Sequence, residues 1–231
     1  MCSAVAGRVT GTGDLESLFE LRADQEPWFA RDKECVIRDQ LFTTSQISDF
    51  RGRAIECATA LFIEGGMDAF TMRGIANELG CSAMTPYRYF ENLEEIIAAV
   101  RARAFERFAD KQHEALQSGQ GAEECLLNLK HAYIQFAVDE PELYTIMFQL
   151  PREEDQNYSD LITQSRRGFS YLVKATQMAV EEGFMNGDPL TIAHVLWANT
   201  HGLVSLHLSG KLLMGRSLKD LSQVVLEIPH T

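Results

Sequence analysis

Residues 51–96 read RGRAIECATALFIEGGMDAFTMRGIANELGCSAMTPYRYFENLEEI, and three helical segments joined by very short connections account for the pattern. From Ser48 to Glu64, Ile55, Ala58 and Phe62 fall at i, i+3 and i+7, the spacing of one helix face, and Gly65-Gly66 supplies a stop. From Thr71 to Leu79, Met72, Ile75, Ala76 and Leu79 form a tight apolar stripe, with Thr71 as the N-cap and Gly80 as the terminator. Ser82 then opens a third segment, SAMTPYRYF. Between the second and third lies Gly80-Cys81-Ser82, a turn in which glycine permits positive φ and serine caps the third segment. This is a helix-turn-helix pattern, a device that holds one helix rigidly against another so that its exposed face can enter a DNA major groove. Helical hairpins also occur in bundles that bind nothing, so residue chemistry has to decide.

The third segment carries Thr85, Tyr87, Arg88 and Tyr89 within five residues. Hydroxyls and a guanidinium donate to phosphate oxygens or base edges, and two tyrosines on so short an element are costly to expose without a partner. Pro86 removes an amide donor and disfavours helical backbone at Thr85. It fits the first turn, or N1 if Thr85 rather than Ser82 is the cap, which leaves a helix of little more than two turns.

Outward from this stretch the helical period continues. Leu93–Ser118 reads as one long helix through Ile96, Ile97, Val100, Ala104 and Phe108, and Ala122–Val138 as another through Leu126, Leu129, Tyr133 and Phe136. A short helix follows Pro141, a loop follows Pro151, and Tyr158–Phe184, Pro189–Ser209 and Ser217–Leu226 complete an all-α chain without strand alternation or repeats. The expected division is an extension over 1–46, a helix-turn-helix domain over 47–92 and a helical ligand-binding and dimerisation domain over 93–231. The extension holds Leu15, Leu18, Phe19, Trp28, Phe29 and others, too interrupted to fold alone, so it docks on the main body or is loosely held.

Composition bounds the function classes. The 231 residues are 45% hydrophobic and 23% charged, too apolar for a disordered chain. No apolar run approaches the ~18–20 residues that span a bilayer, and the first residues lack a signal-peptide apolar core, which points to the cytoplasm and no membrane partner. Five scattered cysteines without C-x-x-C read as reduced thiols. The six histidines lack metal-ligand spacing, and no cofactor or metal is expected. The net charge of -12 argues superficially against nucleic acid. Its distribution softens that argument: residues 47–92 hold 4 basic against 6 acidic side chains, while residues 93–231 hold 12 against 19. DNA affinity then depends on where Arg51, Arg53, Arg73 and Arg88 point.

Arg51 to Ile96 resembles the N-terminal DNA-binding domain of TetR-type transcriptional regulators. The matching positions are Ile55, Ala58, Leu61-Phe62, Gly66, Thr71, Ile75-Ala76, Gly80, Ser82, Thr85, Tyr87, Tyr89-Phe90, Asn92 and Glu94, in one ungapped register. Trp197 followed by His201-Gly202 is similar to the W-x-x-x-H-G signature of one C-terminal domain class in that family. The resemblance implies a homodimer that binds a palindromic double-stranded DNA operator, usually represses, and releases DNA when a small molecule enters the C-terminal domain. By position it implies DNA contacts from Thr71, Arg73, Ser82, Ala83, Met84, Thr85, Tyr87, Arg88 and Tyr89. Arg73 is placed to read a base and Thr71, Tyr87 and Tyr89 to hold phosphate. Relatives often carry Lys where this chain has Ala83 and Leu93, so fewer cations stand against phosphate here.

Aromatic and sulfur side chains crowd the C-terminal part. Tyr133, Phe136, Tyr144, Met147, Phe148, Phe169, Trp197 and His201 are core-forming by spacing, and the same chemistry would line an effector pocket, with Gln135, Asn199 or His201 as polar groups. Small residues on Pro189–Ser209, among them Ala193, Ala198 and Gly202, suit close helix approach across a two-fold axis. The competing reading is an all-α ligand-binding protein or enzyme with a vestigial helix-turn-helix. Against an enzyme, the chain shows no paired catalytic carboxylate motif, Gly-rich phosphate loop or nucleophile elbow.

Overall fold

A computed structural model describes residues 43–148 and 157–224. Helix α1 spans Thr44–Ala69, opening on a capping box in which Thr43 Oγ1 accepts the Gln46 amide and Gln46 Oε1 accepts the Thr43 amide. It starts four residues before the apolar period does, because that box satisfies the orphan amides of a polar first turn. The break expected at Gly65-Gly66 is a kink at Gly66 (φ 63°), after which one more turn runs to Ala69. Helix α2, Met72–Glu78, is capped by Thr71 Oγ1 accepting the Gly74 amide at 3.0 Å. It ends in a Schellman motif: Gly80 at φ +65° donates to the Asn77 carbonyl, and Cys81 donates to that of Ala76, both at 3.0 Å.

The third segment is shorter than its sequence suggests. Only Pro86–Arg88 forms a helical turn, of the 3-10 type, preceded by a turn in which Thr85 N–H donates to the Ser82 carbonyl at 2.8 Å. Pro86 sits at N1, and its missing N–H removes the i→i−4 bond that would have carried an α-helix back to Ser82. Ser82 does not cap; its hydroxyl bonds to that of Thr85 at 2.9 Å.

Helix α3, Leu93–Gln117, opens on Asn92, whose side chain accepts the Glu95 amide. It is followed by α4 (Ala122–Asp139), α5 (Pro141–Phe148), α6 (Ser159–Glu181), α7 (Pro189–Leu208) and α8 (Leu218–Val224). The helices expected after residue 92 recur with ends displaced by a few residues, whereas residues 1–42 of the expected extension, the loop expected after Pro151 and the expected helix end at Leu226 lie outside the described residues. Helix α3 is the axis of the described region. One continuous buried cluster runs from Ala54, Phe62, Ile75 and Phe90 in the helix-turn-helix, through Ile96, Val100 and Phe108, to Tyr133, Tyr144 and Val204. A second cluster joins Cys125, Leu126 and Leu129 of α4 to Ala175 and Ala179 of α6 and to Met185. Helix α6 can lie close against α3 because Gly168 faces Phe108, where a β-carbon would meet ring carbons at 3.1 Å. Arg167 of α6 is half-buried and pairs with Asp110 of α3. Among the described residues, no helix is long and apolar enough to cross a membrane.

Candidate functional sites

The helix-turn-helix presents one polar edge. Thr71, Arg73, Ser82, Ala83, Met84, Tyr87 and Arg88 are exposed, Thr85 and Tyr89 half-buried, and Pro86 buried. Met84 and Tyr87 are 67% and 50% exposed, unusual for large apolar groups unless a partner covers them. Tyr89 is anchored: its ring stacks on Phe50 at 4.0 Å and its carbonyl accepts from Arg51.

Of the four arginines whose direction decides DNA affinity, Arg51 points inward. It forms an ion pair with Glu95 at 2.7 Å, with the two side chains 19% and 11% exposed, and lies 4.2 Å over the Phe90 ring. Glu95 also accepts the Glu91 amide at 2.7 Å. This cluster ties α1, the Tyr89–Glu91 segment and α3 into one block, so the third segment cannot shift without α3. Three exposed arginines remain: Arg53, Arg73 and Arg88.

In the bundle, the structure brings the aromatic residues together. Phe148 is the hub, with ring centroids at 4.9 Å from Tyr144, 5.0 Å from His201, 6.3 Å from Tyr133 and 6.4 Å from Trp197. Phe169 joins through Trp197 at 5.8 Å and Phe136 through Phe108 at 5.4 Å, while Met147 is buried in the same cluster. Gln135 and Asn199 are exposed, and Gln135 bonds instead to Asp139 at 2.7 Å. Of the three polar groups expected, only His201 turns inward.

His201 belongs to a chain of hydrogen bonds. Its Nδ1 lies 2.7 Å from the Tyr144 hydroxyl and 3.1 Å from that of Tyr133, the hydroxyls are 3.0 Å apart, and Nε2 lies 3.3 Å from Ser205 Oγ. The Trp197 indole also bonds to the Tyr133 hydroxyl. An indole N–H can only donate. Each hydroxyl of the chain can donate or accept, and a neutral imidazole donates at one ring nitrogen and accepts at the other. Burial keeps the chain neutral: it pushes the Tyr144 hydroxyl up to about 12 and the Tyr133 hydroxyl well above its usual value, and lowers His201.

Two participants were not singled out in the sequence. Ser205 follows His201 by four residues, one turn on. Lys130 precedes Tyr133 by three, on the buried face of α4 between Leu126 and Tyr133. Its ammonium nitrogen is buried without a hydrogen-bond partner, and burial pushes its pKa down to about 8. A lysine interrupting an apolar stripe was the available signal. Among the described residues no three His, Cys, Asp or Glu side chains converge to hold a metal.

A helix-turn-helix edge sharing one core with an aromatic-lined helical bundle defines a DNA-binding regulator. Residues 54–100 match the family described as bacterial regulatory proteins, tetR family, and residues 126–228 match the tetracyclin repressor-like C-terminal domain. The chain belongs to the TetR family of DNA-binding transcriptional regulators. It is 24% identical over 163 residues to an uncharacterized HTH-type transcriptional regulator of Mycobacterium tuberculosis, covering 69% of this chain and 71% of that one. A Rhodococcus sp. RHA1 protein of unknown function has a TM-score of 0.67 at 22% identity over 77% of this chain and 91% of its own. A transcriptional regulator from Saccharomonospora viridis, solved in complex with choline, has a TM-score of 0.62 at 22% identity, covering 77% and 94%.

Proposed function

We propose that this chain is a cytoplasmic, homodimeric repressor that leaves a palindromic operator when a small molecule enters the bundle formed by residues 93–231. The observation that carries the reading is the single buried cluster running along α3 from the helix-turn-helix to the aromatic network. A ligand that displaces Phe148 or Tyr144 must disturb the packing of α3, and Glu95 on α3 holds Arg51 and the third segment. Two recognition elements need a spacing of one duplex turn, about 34–36 Å, so a small rotation of α3 suffices to lose the operator.

In this reading Arg73 reads a base, Ala83, Met84 and Thr85 form the base-facing edge with apolar contact to thymine methyls from Ala83 or Met84, Thr71, Tyr87 and Tyr89 hold phosphate, and Arg88 serves either role. The dimer forms through α6 and α7. Val195, Ala198, Asn199 and Leu206 are exposed along α7, and a β-carbon on Gly202 would meet nothing within 4 Å, which leaves that face open to a partner helix. The S. viridis regulator was solved in complex with choline, which supports a small molecule as the ligand of this architecture.

A gel shift with the DNA upstream of the protein's own gene tests the reading. A discrete complex at low salt, weakened by a ligand that also raises the melting temperature of the free protein, is expected. A folded dimer that gives no shift across that region would sink it.

A further inference from the structure

We propose that the effector is an organic anion with an apolar body, and that Lys130 binds its charged group. The inference rests on the ligand-controlled reading above and names the chemistry that reading leaves open. The ammonium of Lys130 is removed from solvent and has no hydrogen-bond partner. Burial is the sole cause of its lowered pKa; no neighbouring charge contributes. The carboxylates along α4 do not serve it: Glu123, Glu124 and Asp139 are exposed, and Glu140 pairs with Arg107 at 2.7 Å.

A buried ammonium without a counter-charge is destabilising, and a native interior normally pairs it or replaces it with an apolar side chain. Here the described residues supply neither. Lys130 precedes Tyr133 by three residues, one helical turn of α4, and Tyr133 belongs to the Trp197–Tyr133–Tyr144–His201 chain. That chain is made of aromatic rings and neutral hydroxyls, suited to an apolar body and a hydrogen-bonding head. An aromatic cluster alone would also suit an ammonium ligand through cation–π attraction. Lys130 reverses that preference, because a second buried cation beside it is repelled.

Calorimetry on the full-length parent and Lys130→Met tests the assignment with three probes of one chain length, all below micellar concentration: decanoate, 1-decanol and decyltrimethylammonium. Decanoate is expected to bind the parent and to weaken about tenfold or more in Lys130→Met, the worth of a charge-assisted hydrogen bond. Decanol should bind both proteins alike, and the ammonium should bind the parent least and improve in the variant. Absence of decanoate binding to the parent, or equal decanoate affinity in the two proteins, overturns the proposal. A second readout needs no ligand: after reductive 13C-methylation, the Lys130 resonance should titrate below those of exposed lysines and move on adding decanoate. Titration together with the exposed lysines also overturns it. Operator gel shifts with the same probes separate the two readings. If decanol or the ammonium releases DNA and decanoate does not, ligand control stands and Lys130 is misassigned. If decanoate binds through Lys130 but none of the probes changes operator affinity, the anion assignment stands and ligand control through this site fails.

Discussion

Two arginines in the helix-turn-helix look alike in sequence and do opposite work. Arg51 is held by Glu95 and by the Tyr89 carbonyl, whereas Arg73 stands free on the exposed side of α2. Arg51→Met should therefore cost about 2–3 kcal/mol in urea unfolding, because it leaves Glu95 nearly buried without its partner. It should reduce DNA binding only in proportion to the unfolded fraction and the loosened third segment. Arg73→Ala should leave the urea midpoint unchanged and cost about 1–3 kcal/mol in operator binding, with loss of discrimination against a mismatched site. Equal operator affinity for Arg73→Ala and parent would remove Arg73 from the base-reading group. Sequence could not separate the two residues, since nothing near Arg51 along the chain announces that Glu95, 44 positions later, will meet it. Lys130 is the counterpart in the bundle: its place on an apolar face was legible from spacing, but its lack of a partner is a fact of packing.

Helix α7 places Trp197, His201 and Ser205 on successive turns of one face, so its docking against α4 and α5 depends on a neutral imidazole. Burial lowers the His201 pKa below the usual 6.5, so between those values the unfolded chain binds more protons than the folded one. The stability held by His201 is therefore present above about pH 6.5 and is lost as the pH falls through the folded-state value. Melting temperatures should fall across that window in the parent and fall less steeply in His201→Gln; parallel curves would show that His201 does not titrate in this way. On α6, Gly168→Val should cost about 1–3 kcal/mol, because its β-carbon would press on Phe108 at 3.1 Å and force α6 from α3. A gain in stability would mean that the interface has slack. Helix periods and most caps were legible at this scale because they are local: Thr71 and Gly80 do what their residue types favour, whereas Ser82, expected to cap the third segment, bonds to Thr85 instead. The third segment was over-read, since Pro86 shortened to one 3-10 turn what apolar spacing alone would extend.

For the whole molecule, the net charge of -12 and the exposure of Arg53, Arg73 and Arg88 together set how DNA binding responds to salt. Phosphate neutralisation by each cation contributes a slope of about -0.9 to the dependence of log K on log salt. Three arginines per chain in a two-fold complex bound that slope at about -5, with Arg51 excluded because its charge is spent on Glu95. The remaining acidic surface repels the duplex, so nonspecific DNA should be bound poorly even at low salt. Operator selection must then rest on hydroxyls, the apolar Met84 and Ala83, and shape, none of which carries a counterion-release slope. Fluorescence anisotropy with the operator between about 50 and 200 mM salt measures it. A slope of about -5 or shallower is expected, and Arg88→Gln should make it shallower by nearly two units, one from each chain. A slope much steeper than -5 would require cations outside these three arginines to face phosphate, and the charge of -12 would then be no guide to the groove-facing surface.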